Sequence, residues 1–228
     1  MTSQAILPQT TPAVAMIRTL GLIAAICGLI IVAAYQFTYD AVQENKRIAV
    51  ERAVFKVIPT AKSIVEYAAL PSGDVEKIGA GGSAPAGALK FYAGFDETGG
   101  LAGIAAEGAA KGYADTVRIL FAYDLATSSI PAFSVVAMRE TPGIGDKILV
   151  DKEFLANFPL EATVSADLKA LANAIVTVKH GSKTKPWEVD AISGATITSR
   201  AVGKAINDAA QALLPRVVPN VDKLKEKS

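Results

Sequence analysis

Residues 89–138 read LKFYAGFDETGGLAGIAAEGAAKGYADTVRILFAYDLATSSIPAFSVVAM, and this stretch decides the fold. Its first part, residues 89–106, holds two short apolar runs around a turn from Asp96 to Gly100, the pattern of a hairpin. Residues 116–123 and 130–138 are rich in β-branched and aromatic side chains and are separated by a polar connection. These runs predict an antiparallel meander with a buried face. Further on, residues 166–172 suit a short helix, 174–179 a strand, and 200–214 a longer helix. On that last helix Val202, Ala205, Ile206, Ala209 and Leu213 share one face. The mixture predicts an α+β domain, mainly antiparallel sheet with flanking helices. Residues 71–87, rich in Gly, Ala, Ser and Pro, read as a loop. The tail, 215–228, has two prolines and a charged end and is expected to be poorly ordered.

Upstream of the domain, residues 19–35 carry no charge, and extending the run to Tyr39 gives about the 20 residues that a bilayer core demands. Arg18 closes one side; Tyr35 and Tyr39 stand where interfacial aromatics anchor a span. A buried core helix and a cleaved leader have a similar composition, but the length of the run favours an uncleaved anchor. The expected organisation is an N-terminal segment 1–18, a transmembrane anchor 19–39, a domain 40–214 and the tail 215–228. Residues 40–58 mix charges with Val50, Val54, Val57 and Ile58 at helical spacing, so a juxtamembrane helix should lay one face on the domain until Pro59 ends or kinks it. Lys46, Arg47 and Arg52 follow the span while Arg18 alone precedes it, a bias that opposes an extracytoplasmic domain.

The chain has 23 basic and 22 acidic residues among 228, so no large basic field suggests nucleic-acid binding. Cys27 is its only cysteine and His180 its only histidine. An intramolecular disulfide, a four-thiolate zinc site and an iron–sulfur cluster bound wholly by this chain are excluded, as is a His pair for haem or zinc. Redox chemistry would need an organic cofactor or another subunit. Cys27 reads as a small apolar residue in mid-span, and His180 as an exposed residue before the Gly181-Ser182 turn.

Two segments stand out. The first is DAISGATIT, residues 190–198, leading into the last long helix. Gly194 and Ala195 put little bulk beside Thr196, Thr198 or Ser199 can cap the helix, and the helix start favours an anion. An ordinary Ser/Gly/Thr-rich helix start fits the same residues. The second is RETPGIGDK, residues 139–147, where Pro142-Gly143 favours a tight turn and Gly145 allows close backbone approach. A strand-ending turn with charged flanks fits that segment equally.

Taken together, ETPGIGDK some fifty residues before SGAT, Trp187 just upstream and a single N-terminal span, the chain resembles the G subunit of the Rnf electron-transport complex. The C subunit of the sodium-pumping NADH:quinone oxidoreductase, Nqr, is a relative. The resemblance implies FMN joined by a phosphoester to Thr196 through the action of a flavin transferase. It makes Asp190, Ser193, Gly194 and Ala195 the residues that the transferase reads. Glu140, Thr141, Gly143, Ile144, Ser193, Gly194, Ala195 and Thr198 become candidates for cofactor contact, with Trp187 a candidate cover for the flavin ring or simply a core residue. Asp146-Lys147 looks more like the Rnf subunit than the Nqr one. Met138-Arg139 stand where family members often carry His, so no histidine role transfers.

The implied function is electron transfer within an Rnf-type complex that couples ferredoxin oxidation and NAD reduction to ion movement. The implied partners are its membrane and redox subunits, the flavin transferase and membrane lipid. The implied place is a bacterial inner (cytoplasmic) membrane, with the soluble domain outside the cytoplasm. The chain should not catalyse the whole reaction alone. The Gly-rich stretch 79–87 lacks the helix and acid of a dinucleotide fingerprint, and no Asp, Glu, Lys, Arg or His lies between Arg18 and Asp40 to make an ion path. The rivals to this reading are an Nqr C-type subunit, an anchored FMN-binding sensor and a flavin-free interaction module.

Overall fold

The computed structural model describes residues 12–79 and 81–224. The first eleven residues of the N-terminal segment and the last four of the tail lie outside the described residues. The chain divides into two compact units, Met1–Lys46 and Arg47–Ser228.

In the first unit the apolar run is helical, as part of α1 (Ala13–Val57). Its apolar segment is long enough to cross a membrane and none of its residues is buried, which fits a single-pass anchor. The expected juxtamembrane helix is not a separate element: helix continues unbroken to Val57, because no Gly or Pro interrupts residues 29–57. Within the second unit the last turns of α1 bury Ala53, Val54 and Val57, and helix stops just before Pro59.

The second unit is built on a six-stranded antiparallel sheet. Its strands are β1 (Ser63–Ala69), β2 (Val75–Lys77), β3 (Leu89–Phe95), β4 (Leu101–Lys111), β5 (Thr116–Tyr123) and β7 (Phe133–Ala137), with β6 (Ser129–Ile130) pairing instead with β8 (Leu160–Glu161). In space they run β2-β1-β3-β4-β5-β7. A single helical turn, α2 (Lys152–Leu155), precedes β8 and is capped by Asp151, whose carboxylate accepts the Phe154 amide at 2.9 Å. The hairpin read from residues 89–106 is β3 and β4, turned by Asp96, whose carboxylate accepts from the amides of Thr98 and Gly100 at 2.8 and 2.9 Å. The run at 130–138 is broken by Pro131, which has no amide for a ladder, so it divides between β6 and β7.

Both faces of the sheet are covered, where one had been expected. From β5, Val117, Ile119, Phe121 and Tyr123 join the core beneath the last helix. Leu120 and Ala122 point the other way, onto Ala53, Val54, Val57 and Ile58. The near-continuous apolar run TVRILFAY is what a strand buried on both sides requires.

The helix that matters for function is α3 (Thr196–Val217), which packs on β4 and β5 through Val202, Ala205, Ile206, Ala210 and Leu213. Its backbone comes so close to β4 that a Cβ on Gly108 would overlap the Ala205 carbonyl. On its flank a Cβ on Gly203 would overlap the Thr177 hydroxyl of β9 (Val176–Val178), which pairs in parallel with β10 (Glu188–Asp190). Asn207 and Gln211 of α3 accept the amides of Ile175 and Leu171 at 3.0 and 2.8 Å.

Four expectations change. Residues 166–172 form a turn and not a helix: Ser165 and Asp167 bond each other at 2.6 Å, Leu168 has φ +55°, and Val164 bridges Leu171. Here side chains that compete for backbone groups override a helical pattern. The segment 71–87 contains β2, paired with β1. The helix placed at 200–214 begins at Thr196, so Thr198 and Ser199 lie inside its first turn; its N-cap is Ala195. The tail is ordered through residue 224. Helix runs through Pro215 into a 3-10 segment, Val218–Lys223, because Leu213, Leu214, Val217 and Leu224 are buried and Asn220 and Lys223 bond Gly73 and Asp74 at 2.6 and 2.7 Å.

Gly108→Ala tests the seating of α3. It should lower stability by about 1–3 kcal/mol, the usual cost of overpacking, measured by thermal unfolding of the full chain in detergent through its near-ultraviolet circular dichroism.

Candidate functional site

The approach to Thr196 starts at β10. Asn157, buried and remote in sequence, grips this strand: its Oδ1 accepts the Asp190 amide at 2.8 Å, and its Nδ2 donates to the Asp190 and Phe154 carbonyls at 3.1 and 2.9 Å. The Asp190 carboxylate is turned onto the neighbouring turn, accepting the amides of Gly181 and Ser182 at 2.8 and 3.3 Å. Lys183 donates to the Asn157 carbonyl at 2.9 Å; burial lowers its pKa, against the pull of Asp190 and Glu188. Glu188 accepts from the Thr184 amide at 2.8 Å and the Lys185 amide at 3.1 Å, which hold its carboxyl below the usual range.

The chain then turns at residues 192–195, closed by the Ala195 amide on the Ile192 carbonyl at 3.1 Å. Gly194 has φ +82°, a conformation that costs glycine little, and no atom lies within 4 Å of where its Cβ would stand. Ser199 locks this turn to the helix. Its buried hydroxyl donates to the Ala195 carbonyl at 3.0 Å and accepts the Ile192 amide at 3.1 Å.

Thr196 is thereby the first residue of a 22-residue helix that has no side-chain N-cap. Its hydroxyl is half-buried and is held only by a long 3.4 Å bond to the Ile192 carbonyl. Helix-start amides and the helix dipole favour negative charge here, so the residues present fit a phosphate on this side chain.

The second motif lies beside the first. The Thr141 carbonyl accepts the amides of Ile144 and Gly145 at 3.1 and 3.0 Å, closing a turn in which Gly143 has φ +77° and open space around it. Thr141 and Pro142 are exposed, and Ile144 stays 50% exposed despite being a large apolar residue. Glu140 points inward and bonds the Thr198 hydroxyl at 2.9 Å, across 58 residues of sequence. Ile197, 49% exposed, is a second uncovered apolar side chain on this helix turn. Half-exposed isoleucines and open glycines beside an anion-favouring helix start suit an aromatic ring carried on a phosphate.

On the far side of Ser193 a cleft of about 220 Å³ is lined by Lys147, Glu153, Phe154, His180, Asp190 and Ser193, among others. His180 is exposed, as expected, with Nδ1 on the Ala191 carbonyl at 3.0 Å. Trp187 is half-buried; Lys185 lies 5.3 Å from its ring centroid, and the neighbouring Pro186 carbonyl accepts the Glu161 amide. Among the described residues no group of three or more His, Cys, Asp or Glu is placed to hold a metal.

Comparison with known proteins shows the family. The FMN-binding domain family matches residues 112–211, which span both motifs. The G subunit of the Na⁺-translocating ferredoxin:NAD⁺ oxidoreductase complex of Acetobacterium woodii is 31% identical over 157 residues, 67% of this chain and 68% of that one. The chain belongs to the family of Rnf G subunits. Two further family members agree: the G subunit of the ion-translocating oxidoreductase complex of Methanosarcina acetivorans (32% over 119 residues, 52% of this chain and 55% of that one) and the G subunit of the proton-translocating ferredoxin:NAD⁺ oxidoreductase complex of Clostridium ljungdahlii (36% over 101 residues, 44% and 48%). The fold is that of NqrC from Shewanella oneidensis, with a TM-score of 0.63 at 21% identity over 79% of this chain and all of that one.

Sequence reasoning missed Asn157, whose importance rests on its contacts with Asp190, distant in the chain; a lone Asn before Phe158-Pro159 carries no local signal.

Asn157→Ala should cost about 1–3 kcal/mol by leaving the Asp190 amide and carbonyl unpaired, with faster amide exchange at Asp190. Glu188 adds a pH dependence. Its lowered folded-state pKa means that its contribution is present at neutral pH and lost as pH falls through that pKa. Glu188→Gln should therefore flatten the acid side of the stability profile, read from melting temperatures across the acid range.

Proposed function

We propose that the chain is the covalent-flavin electron carrier of an Rnf-type complex, with FMN joined through its phosphate to Thr196. One observation carries the reading. The ETPGIGDK segment meets the helix turn that follows SGAT, through Glu140 and Thr198, at a start of α3 with no side-chain cap and beside a Thr196 hydroxyl that has only a long hydrogen bond. When bound, FMN supplies a ring that takes up and releases electrons singly or in pairs.

The chain's own residues divide the remaining work. Thr196 would provide the ester oxygen, and the first amides of α3 would hold the phosphate. Gly143 and Gly194 leave room for close approach, while Thr141, Ile144 and Ile197 would seat the ring and Trp187 would cover part of it. Ser193 and Gly194 are the exposed part, and Ala195 the buried part, of the turn that the flavin transferase reads. Asp190 contributes by fixing the turn that precedes it. A tether makes retention independent of affinity, so the site can remain shallow and the ring accessible to neighbouring carriers.

The subunit works within an oxidoreductase complex, with electrons passing between ferredoxin and NAD and ion movement carried by other subunits. Support comes from the relatives named above, which are subunits of ferredoxin:NAD⁺ or ion-translocating oxidoreductase complexes. The anchor holds the chain in the bacterial inner membrane with its domain on the extracytoplasmic side. That placement runs against the flanking charges and has its own test. Protease added to spheroplasts should remove the domain and leave the anchor; full protection would put it in the cytoplasm.

Full-length chain made with a flavin transferase should give an ultraviolet-fluorescent band on a denaturing gel. Without the transferase, or as Thr196→Ala, it should give none. Equal fluorescence from the Ala variant would move the attachment site elsewhere.

A further inference from the structure

We propose that Glu140 is a positioning residue for flavin attachment: acting through Thr198, its carboxylate holds the first turn of α3 so that the Thr196 hydroxyl is presented for reaction, without itself touching the flavin. The inference deepens the reading above and rests on it.

Both carboxylate oxygens are committed to the protein. Oε2 accepts the Thr198 hydroxyl at 2.9 Å, and Oε1 accepts the amides of Ala114 and Asp115 at 3.2 and 3.4 Å. Glu140 therefore joins the β4–β5 turn to the start of α3. Two glycines make room for it. A Cβ on Gly112 would overlap Oε1, and one on Gly145 would lie 2.6 Å from the Glu140 Cβ and 2.8 Å from Oε2. Gly145 belongs to the same ETPGIGDK segment, so its close approach serves the strut.

Thr198 is 2% exposed and shares a helical turn with Thr196. The Thr196 hydroxyl, on its 3.4 Å bond, is aimed by the helix frame more than by a partner of its own. Ser199 fixes that frame from within the helix, and Glu140 ties it to the β4–β5 turn.

Attachment is sensitive to such aim. The Thr196 oxygen forms a new bond to the flavin phosphorus while the phosphorus–oxygen bond to the leaving group breaks. FMN itself would have to expel hydroxide, so the donor is a flavin dinucleotide. Its phosphoanhydride bond breaks, the nucleoside monophosphate leaves with the bridging oxygen, and the hydroxyl proton passes to a transferase base or to water. No electrons are exchanged. In-line displacement needs the attacking oxygen within a narrow range of positions, and a 1 Å error can cost about a hundredfold.

A strut needs acceptors for the two amides and any hydrogen bond to Thr198, which a glutamine supplies: its carbonyl faces the amides, and its NH₂ donates to the Thr198 hydroxyl. The test uses full-length chain in detergent, purified flavin transferase and flavin adenine dinucleotide, with attachment followed by intact mass and melting temperature recorded on the unmodified chain. Glu140→Ala and Thr198→Val should each lower the maximal attachment rate about tenfold, a conservative share of the misplacement cost, with the KM for the transferase unchanged. Glu140→Gln should stay close to wild type, and the double variant Glu140→Ala/Thr198→Val should be no slower than Glu140→Ala alone.

Attachment to Glu140→Ala at the wild-type rate overturns the inference. So does a Gln variant as slow as the Ala one, which would mean that the charge acts directly, or a double variant whose loss is the product of the single losses. If Glu140→Ala does not fold, Thr198→Val, which removes one hydroxyl and keeps the side-chain shape, decides alone. A wild-type chain that stays unmodified overturns the mooring at Thr196 and this inference with it.

Discussion

The seating of α3 on the sheet is the constraint from which the site follows. Gly108 lets the helix backbone approach β4, Gly203 lets its flank approach β9, and Asn207 and Gln211 take up amides from the segment that leads to that strand. With the helix axis set by its buried face, the position of its first residue is set as well. Ser199 and Glu140 then remove the freedom that remains at the helix start, one from within and one from across the domain. The site is a consequence of packing before it is a matter of chemistry. This is how a rigid element can present a reactive group on an otherwise mobile kind of segment.

Much of this was legible in the sequence. The apolar runs and turn chemistry of residues 89–123 pointed to the central hairpins, and the apolar stripe after the glycine-threonine turn pointed to α3, though its start was placed four residues late. Local signals failed where distant contacts decide. Pro215 and Pro219 suggested an end to order, yet buried Leu214, Val217 and Leu224 hold the chain to residue 224. Ser165 and Asp167 took a helical pattern into a turn. Thr198 and Ser199 read as caps because hydroxyls favour helix starts, but both face inward, one onto Glu140 and one onto the preceding turn. A single sequence has no means of pairing Glu140 with Thr198 or Asn157 with Asp190.

The two roles given to Glu140 differ in a way that matters. Resemblance makes it a cofactor contact; its hydrogen bonds make it a beam between the β4–β5 turn and the helix. In this account the flavin meets the exposed part of the turn, Thr141 to Ile144, and the inward-facing glutamate keeps that turn in register with Thr196. The half-exposed isoleucines fit the same division, since both stand beside an anion-favouring helix start. A tether of the kind proposed would turn a shallow, accessible seat from a weakness into an asset for a carrier that must exchange electrons with its neighbours.

The central claim is chemical and local. Trypsin should release residues 184–200 as one peptide, since Lys185 precedes Pro186, and that peptide carries hydroxyls at Thr184, Ser193, Thr196, Thr198 and Ser199. Tandem mass spectrometry of this peptide from the chain purified out of its native membrane should find the mass of an FMN phosphoester on Thr196. An unmodified peptide, or the flavin on any of the other four hydroxyls, would contradict the account.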